Sequence, residues 1–472
     1  MNEKAKTLFK NLNYTITANF LVLGISIILN LVVPKFIGLT EYSYWQLYIF
    51  YSGYVGFFHF GWIDGIYLKI GGEEYDNLDK RSLGTQFYYL IIFETVSALI
   101  LSIYAFIFVS DFNRQIIWIA TASILIIINI KTFILYILQS TNRIKEYASL
   151  SRDDRYLYLV VSMGYLLIGG RDFKILIFLD VISKLVITIL GLIRIKDIIL
   201  AKKIEYIKTI AEIKDNIRIG SNLMLGNLAS MLILGISRFF VEQRWDIETF
   251  GKLSFALSIS NMFMIFINAV SVVLYPVLRR TEQSNLPSLY MKVRTLFVTF
   301  SLALLLFFNP IRVILEWWLP EYQSSLFFMG MLFPMIVYEG RISLLVNTYL
   351  KTIREEKIIL YSNGLALIMS IITTILSVYI FNDINLAVLS ITLCLGFRCF
   401  IAELMLSRKL QISVLRDNLI EGILVIVFIV SNILFNSLIS FGLYFLVFGL
   451  YFILNSKIMK KNLKSLLLLI KT

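Results

Sequence analysis

Nine ionisable side chains lie well inside apolar stretches of this chain: Lys131, Lys184, Arg341 and Arg398, with Asp64, Glu94, Asp180, Glu339 and Glu403. On insertion scales a charge at the centre of a membrane helix costs about 2.5–3.5 kcal/mol, so such residues face a cavity or a partner. Lys131, Arg341 and Arg398 fall at similar depth when counted along their segments at about 1.5 Å per residue. Three cations at one level would suit an anion such as phosphate, which Arg grips with its planar fork and Lys meets as a point charge. Together with Lys184 they make a candidate cationic, substrate-binding cavity. Glu94, Asp180 and Glu339 are the acids available to carry a coupling ion. The competing reading is pairing. Asp180 and Lys184 are four apart on one helix face, Glu339 is near Arg341, and Glu403 is near Arg398. His59 and Asp64 are read as structural or interfacial.

Covalent chemistry is poorly supplied. His59 is the one histidine, against a multi-histidine metal site or a Ser-His-Asp triad. No Walker A pattern or glycine-rich phosphate loop is present. Cys394 and Cys399 lie five apart within one expected helix, a placement unsuited to a structural disulfide or a metal site. The reading is a non-enzyme without catalytic residues, metal or bound cofactor.

The elements that position these residues follow from composition. Hydrophobic residues are 58% of the 472 and charged ones 16%, against about 45–50% and 25% in soluble domains. A spanning helix needs about 20 mostly apolar residues. Fourteen segments are read as spans, the fifth short as drawn and starting earlier, near Leu150: 13–33, 45–68, 83–110, 116–139, 156–170, 173–193, 219–240, 250–278, 295–315, 324–349, 358–381, 384–406, 419–438 and 442–455. The expectation is an all-α polytopic membrane protein with about fourteen transmembrane helices. Pro334, seven residues before Arg341, should kink its helix.

The net charge of +13 would suggest nucleic acid in a soluble protein. Here topology explains it, and no nucleic acid partner is expected. Outer loops carry Lys35, Arg114, Arg171, Lys174, Arg244 and Arg312. Inner ones are richer, as with Arg143, Lys145, Arg152 and Arg155, or Arg279, Arg280, Lys292 and Arg294. This alternation puts both termini in the cytoplasm. The longest inner loop, 194–218, has apolar residues at near-helical spacing with lysines between them. It reads as an interfacial amphipathic linker. It separates an N-terminal bundle at 1–193 from a second at 219–406. Residues 407–472 supply two more helices and a basic tail.

Four stretches resemble a known family: FGWIDGIYLKIGGEEYDNLDK from Phe60, FGKLSFALSISNMFMIFINAVSVVLYPVLRR from Phe250, YLKTIREEKIILYSN from Tyr349 and LGFRCFIAEL from Leu395. The chain is similar there to the polysaccharide (O-antigen and capsule type) flippases of the multidrug/oligosaccharidyl-lipid/polysaccharide exporter superfamily. The resemblance implies two six-helix bundles around a central cavity plus two C-terminal helices, working by alternating access in a bacterial cytoplasmic membrane. It implies that an undecaprenyl-pyrophosphate-linked oligosaccharide repeat unit moves from inner to outer leaflet. The driving force would be a proton or sodium gradient or the membrane potential. Partners would be membrane lipid, the lipid-linked oligosaccharide, and a polysaccharide polymerase and glycosyltransferases. A cationic lumen in that family carries over by residue type alone onto Lys131, Arg341 and Arg398. Two alternatives stand: a drug or metabolite cation antiporter of the same superfamily, and a membrane-embedded glycan-processing enzyme.

Overall fold

A computed structural model describes residues 3–201 and 206–471. The described residues are helical, with no strand. In chain order the helices are α1 Glu3–Tyr54, α2 Trp62–Lys69, α3 Lys80–Phe108, α4 Phe112–Ser140, α5 Ile144–Leu167, α6 Phe173–Arg194, α7 Lys196–Ile199, α8 Tyr206–Arg244 and α9 Ile247–Arg280. There follow α10 Leu286–Leu304, α11 Phe308–Trp318, α12 Gln323–Leu332, α13 Met335–Arg341, α14 Asn347–Thr352, α15 Glu356–Ile375, α16 Ile384–Leu410, α17 Leu415–Leu434 and α18 Ser437–Lys471.

Aspartates begin many of these helices. The carboxylates of Asp79, Asp111, Asp172, Asp246 and Asp383 each accept from backbone N–H groups of the first turn. These N–H groups have no partner within the helix, and a carboxylate also complements the positive end of the helix dipole. The Thr249 N–H holds the Asp246 carboxyl below the usual carboxylate range.

Among the described residues ten helices are long and apolar enough to cross a membrane, or eleven when the pair Pro320–Leu332 and Met335–Thr352 is taken as one bent span. Many apolar side chains point outward from them, Phe108, Trp317 and Leu438 among these. This is a multi-pass membrane protein. The count is lower than the fourteen expected, for identifiable reasons. The first two expected segments run together in α1, whose 52 residues would extend about 78 Å at 1.5 Å per residue, more than twice the hydrocarbon thickness. The helix is interrupted at Gly38, with φ 77° and ψ 173°, a conformation that glycine adopts at no steric cost. The fifth segment lies in α5, whose first half carries Arg152, Asp153, Asp154 and Arg155. The eighth lies in α9, where many side chains are outside the described residues.

The expected kink at Pro334 is present. The chain bends by 47° between the two halves of that span, because proline cannot donate to the preceding turn.

The linker differs from the expectation of a separate interfacial helix. Lys202, Lys203 and Ile204 lie outside the described residues. From Tyr206 the chain is already helical and continues without a break into the seventh expected span, ending at Arg244. No proline interrupts it, and its polar face is used for packing.

The chain forms two compact units, 1–228 and 229–472. In the first, α1, α4, α5 and α6 pack on one another, and α3 packs on α4 and α7. A core of Trp62, Ile63, Phe87, Phe133, Ile134 and neighbours is joined by Ile213 and Ile217 of α8. Glycines permit that approach. A Cβ on Gly65 would lie 1.9 Å from the Asn216 carbonyl oxygen, and one on Gly220 would lie 2.0 Å from that of Gly61. Gly61 and Gly65 are one turn apart, the small-xxx-small spacing that lets helix backbones touch. Lys69 bonds Asp215 at 3.1 Å beside this contact. At one end of the unit, Lys80 pairs with Asp197 at 2.8 Å and the Tyr75 hydroxyl donates to Asp197 at 2.7 Å, which ties α7 to α3.

In the second unit, α9 packs on α12, α13 and α14, α15 on α16, and α18 on α10 and α17. Two π-helical turns, Ile342–Val346 and Leu376–Ile380, interrupt the regular ladder.

Gly65→Ala should destabilise the protein by about 1–3 kcal/mol, the usual cost of overpacking a tight contact. Gly422→Ala, where a Cβ meets nothing within 4 Å, should be neutral or slightly stabilising. Thermal unfolding of the two variants side by side checks this.

Candidate functional site

Two buried polar systems, one in each unit, hold the ionisable residues singled out above. In the first unit the second expected span is discontinuous. Helix α1 ends at Tyr54, a 3-10 turn covers Val55–Phe57, and α2 starts at Trp62. Phe60 (φ 50°) and Gly61 (φ 85°) turn the chain through left-handed backbone. Non-helical backbone at membrane depth needs partners from its surroundings. Asn129 of α4 supplies one, donating through Nδ2 to the Val55 carbonyl at 3.1 Å and to the Leu125 carbonyl at 3.1 Å. His59 supplies another. Its Nδ1 accepts from the Gly61 N–H at 3.1 Å, and its Nε2 stands 3.7 Å from Asp64. Both side chains are buried.

The site is extended toward α8 by an amide network. Trp62 Nε1 donates to Gln86 at 3.0 Å, Asn216 donates to the same oxygen at 2.8 Å, and Gln86 donates to Ser82 and Glu212.

Lys131 and Lys184 are both in this unit and both are paired. Lys131 meets Asp154 of α5 at 2.7 Å, with 13% of its side chain exposed. Lys184 pairs with Asp180, as their spacing predicts. Tyr48 also donates to Asp180, at 2.7 Å. Glu94 of α3 differs from all of these. It is 0% exposed, and neither carboxylate oxygen accepts a hydrogen bond.

The second unit contains Arg341 and Arg398. Sequence proximity would pair Arg341 with Glu339 and Arg398 with Glu403. The structure exchanges the partners. Arg341 donates to Glu403 at 2.9 Å, and Arg398 donates to Glu339 at 2.6 Å. The reason is geometric. Residues two apart on a helix point in different directions, while α13 and α16 lie side by side and face each other's charges. Arg398 also donates through Nε to Asn363 of α15 at 2.8 Å. Glu339 keeps 17% of its side chain exposed.

Arg341 belongs to a larger cluster. Arg294 of α10 donates to Glu403 at 2.7 Å and to Glu421 of α17 at 2.8 Å. Arg341 meets Glu421 at 2.7 Å. Two guanidinium groups and two buried carboxylates thus alternate in a ring drawn from α10, α13, α16 and α17, and the exposed carboxylate of Asp417 stands 3.7 Å from Arg294. Tyr290 donates to Glu403 at 2.6 Å, and Asn418 accepts from both arginines. Arg294 and Arg341 are each 2% exposed. Guanidinium is suited to such a ring because its fork meets two carboxylates at once.

The three expected cavity cations therefore do not stand free. Each is neutralised by an acid, and Lys131 lies in a different unit from Arg341 and Arg398. Sequence reasoning missed Arg294, assigned to an inner loop one residue before its span, and Glu421, Asn418 and Asp154 at the edges of theirs. The available signal was that charges at the ends of several apolar segments are balanced in sign. Cys394 and Cys399 are buried free thiols. Among the described residues no group of three or more His, Cys, Asp or Glu is placed to hold a metal ion.

No family model matches the sequence, and no curated protein matches it at the sequence level. Solved structures do match its fold. A structure titled "Lipid II flippase MurJ, inward closed conformation" aligns with TM-score 0.65 at 14% identity, over 96% of this chain and 100% of that one. An inward-facing multidrug resistance MATE family transporter of the MOP superfamily aligns with TM-score 0.60 at 11% identity, over 83% of this chain and 98% of that one. A MOP superfamily transporter from Pyrococcus furiosus aligns with TM-score 0.50 at 12% identity, over 85% and 96%.

Removing one member of the buried ring strands its partners. Arg294→Met should cost about 3–5 kcal/mol. The pair Arg294→Met with Glu421→Leu should cost less than the sum of the two singles by about 0.5–3 kcal/mol. A double-mutant cycle on unfolding in micelles reads this, and strict additivity would show that the ring is not coupled. The chain has the fold of the MOP superfamily transporters.

Proposed function

We propose that the protein is a flippase that carries an undecaprenyl-pyrophosphate-linked oligosaccharide from the inner to the outer leaflet of a bacterial cytoplasmic membrane. The observation that carries this reading is the extent of the structural likeness. The lipid II flippase is matched along 96% of this chain, the multidrug transporter along 83%. Length beyond the multidrug transporter has a counterpart in the flippase.

Translocation makes and breaks no covalent bond, so it asks for a cavity and two accessible states rather than a nucleophile. An anionic headgroup needs cations that can exchange partners. Arg398 and Lys131 suit that role best. Each is held by one carboxylate, and each pair retains some exposure, at Glu339 and at Lys131. A pyrophosphate would compete with Glu339 for the Arg398 fork. Arg341 is held more completely, by Glu403 and Glu421, while Lys184 is as exposed as Lys131 but shares its Asp180 with the Tyr48 hydroxyl; their contribution is to keep that interior charged yet neutral in sum. In this reading residues 1–193 and 219–406 form the two bundles that alternate, 407–472 adds the extra helices, and both termini are cytoplasmic. A proton or sodium gradient, or the membrane potential, drives the cycle through Glu94, Asp180 or Glu339. A polymerase and glycosyltransferases are the enzymes that would use and supply the cargo.

The test is translocation of a lipid-linked oligosaccharide in proteoliposomes. Wild-type protein should flip it. Arg398→Ala should flip it at least about tenfold more slowly, since losing one hydrogen bond to a charged group costs roughly 1.5–3 kcal/mol. Folded wild-type protein that moves an organic cation against a gradient and leaves the lipid unmoved would favour the antiporter instead.

A further inference from the structure

We propose that the outward face of α18 is a binding site for an acidic phospholipid, with the acyl chains along an apolar stripe and the headgroup phosphate on four lysines at its C-terminal end. The proposal needs only that α18 crosses the membrane, and it is independent of the cargo proposed above.

The argument starts from length. Helix α18 begins at Ser437 and runs to Lys471. About twenty residues, at roughly 1.5 Å each, cross a hydrocarbon layer about 30 Å thick, which brings the chain to Ser456. The next residue is Lys457, and Lys460, Lys461 and Lys464 follow. These lysines occupy roughly the first 10 Å beyond the hydrocarbon. That is within reach of the headgroup layer, since a lysine stem bends back toward the interface. All four are exposed.

They also share one side of the helix. At about 100° per residue the four fall within an arc of roughly 100°. Leu446, Leu450 and Leu454 are 65%, 63% and 80% exposed and lie within about 60° of Lys457 on the same stripe. Tyr444 and Phe448 mark the opposite side, about 140° and 180° round from Lys457. Both are buried, and the Tyr444 hydroxyl donates to the Leu302 carbonyl of α10 at 2.9 Å. The lysines therefore point away from the protein. One outward stripe is apolar across the hydrocarbon and cationic directly beyond it.

That change of character selects the occupant. Whatever reaches the lysines stands over the leucines, so it carries an apolar part and an anionic part in that order, as an acidic phospholipid does. The helix offers its lysines no acid of its own. No Asp or Glu follows Glu421 in the chain, and Glu421 is engaged by Arg294 and Arg341. A phosphate without a compensating amine supplies the missing charge. The positive-inside rule asks only for basic residues near the end of a span; it does not ask that they share a face with exposed leucines. In the orientation proposed above, the lipid belongs to the inner leaflet.

The test uses the full chain in lipid bilayers, with a fluorophore on Ile453→Cys, an exposed position of the same stripe. Cys394 and Cys399 are buried and should stay unlabelled. Quenching by phosphatidylglycerol carrying a nitroxide on its chain is compared with quenching by the matching phosphatidylcholine at equal mole fraction. Phosphatidylglycerol should be favoured about fivefold or more, the effect of a single lysine near an anionic surface, and the preference should fall as salt rises. Lys457→Gln, Lys460→Gln, Lys461→Gln and Lys464→Gln together should bring the ratio to about one, with thermal stability unchanged because these side chains are exposed. The four corresponding changes to Arg should keep the preference. Equal quenching by the two lipids in the lysine protein, or a preference that survives the four glutamines, would overturn the proposal. So would undecaprenyl pyrophosphate displacing the labelled lipid better than unlabelled phosphatidylglycerol does, which would assign this face to the transported lipid.

Discussion

Charge neutralisation inside apolar surroundings governs the interior of this protein. Water cannot screen a guanidinium or an ammonium there, so the sequence must supply a carboxylate for each one, on a helix near enough to reach it. Arg294 and Arg341 with Glu403 and Glu421 satisfy this as a ring, Arg398 with Glu339 as a pair. The ring ties α10, α13, α16 and α17 into one arrangement. A slip of any of these helices by one turn, about 5.4 Å, would separate charges now in contact. Its worth lies in register as much as in stability, because burying four charges is expensive in itself even when all are paired.

Backbone irregularity sits beside these groups. Arg341 is the last residue of α13, between the bend at Pro334 and the π-helical turn Ile342–Val346. His59 lies within the interruption between α1 and α2, and Asn129 caps its first turn. An interrupted helix exposes carbonyl and N–H groups that a regular helix would consume. In hydrocarbon they must be met by side chains, and side chains able to meet them can also bind ions or headgroups. This is the physical sense in which broken spans and ionisable residues recur together at transport sites.

Much of this was legible in the sequence, and the limits of legibility are specific. Apolar segments long enough to cross a membrane reveal the class of fold, because the requirement is one of length and composition. The Asp180–Lys184 pair is visible because both members share one helix face. The exchange of partners between Arg341 and Arg398 is not visible, since it depends on how α13 and α16 lie against each other, and nothing in the spacing encodes that. Arg294 was hidden by convention: a charge at the edge of an apolar run is counted as loop, whereas α10 begins eight residues earlier, at Leu286. The same applies to Asp154, which precedes the fifth apolar segment but lies within α5 and reaches Lys131. The continuity of α8 through the expected linker was hidden for the opposite reason. Its lysine-rich face looked interfacial, yet Glu212, Asp215 and Asn216 on that stretch bond Gln86 and Lys69 within the first unit.

The two polar systems solve the same problem in different ways, and the difference bears on how each could respond to a change of state. In the ring, every charge has at least two opposite neighbours, so losing one contact leaves another in place. Such a group resists perturbation and holds its helices together. The first unit relies on separate pairs instead, Lys131 with Asp154 and Lys184 with Asp180.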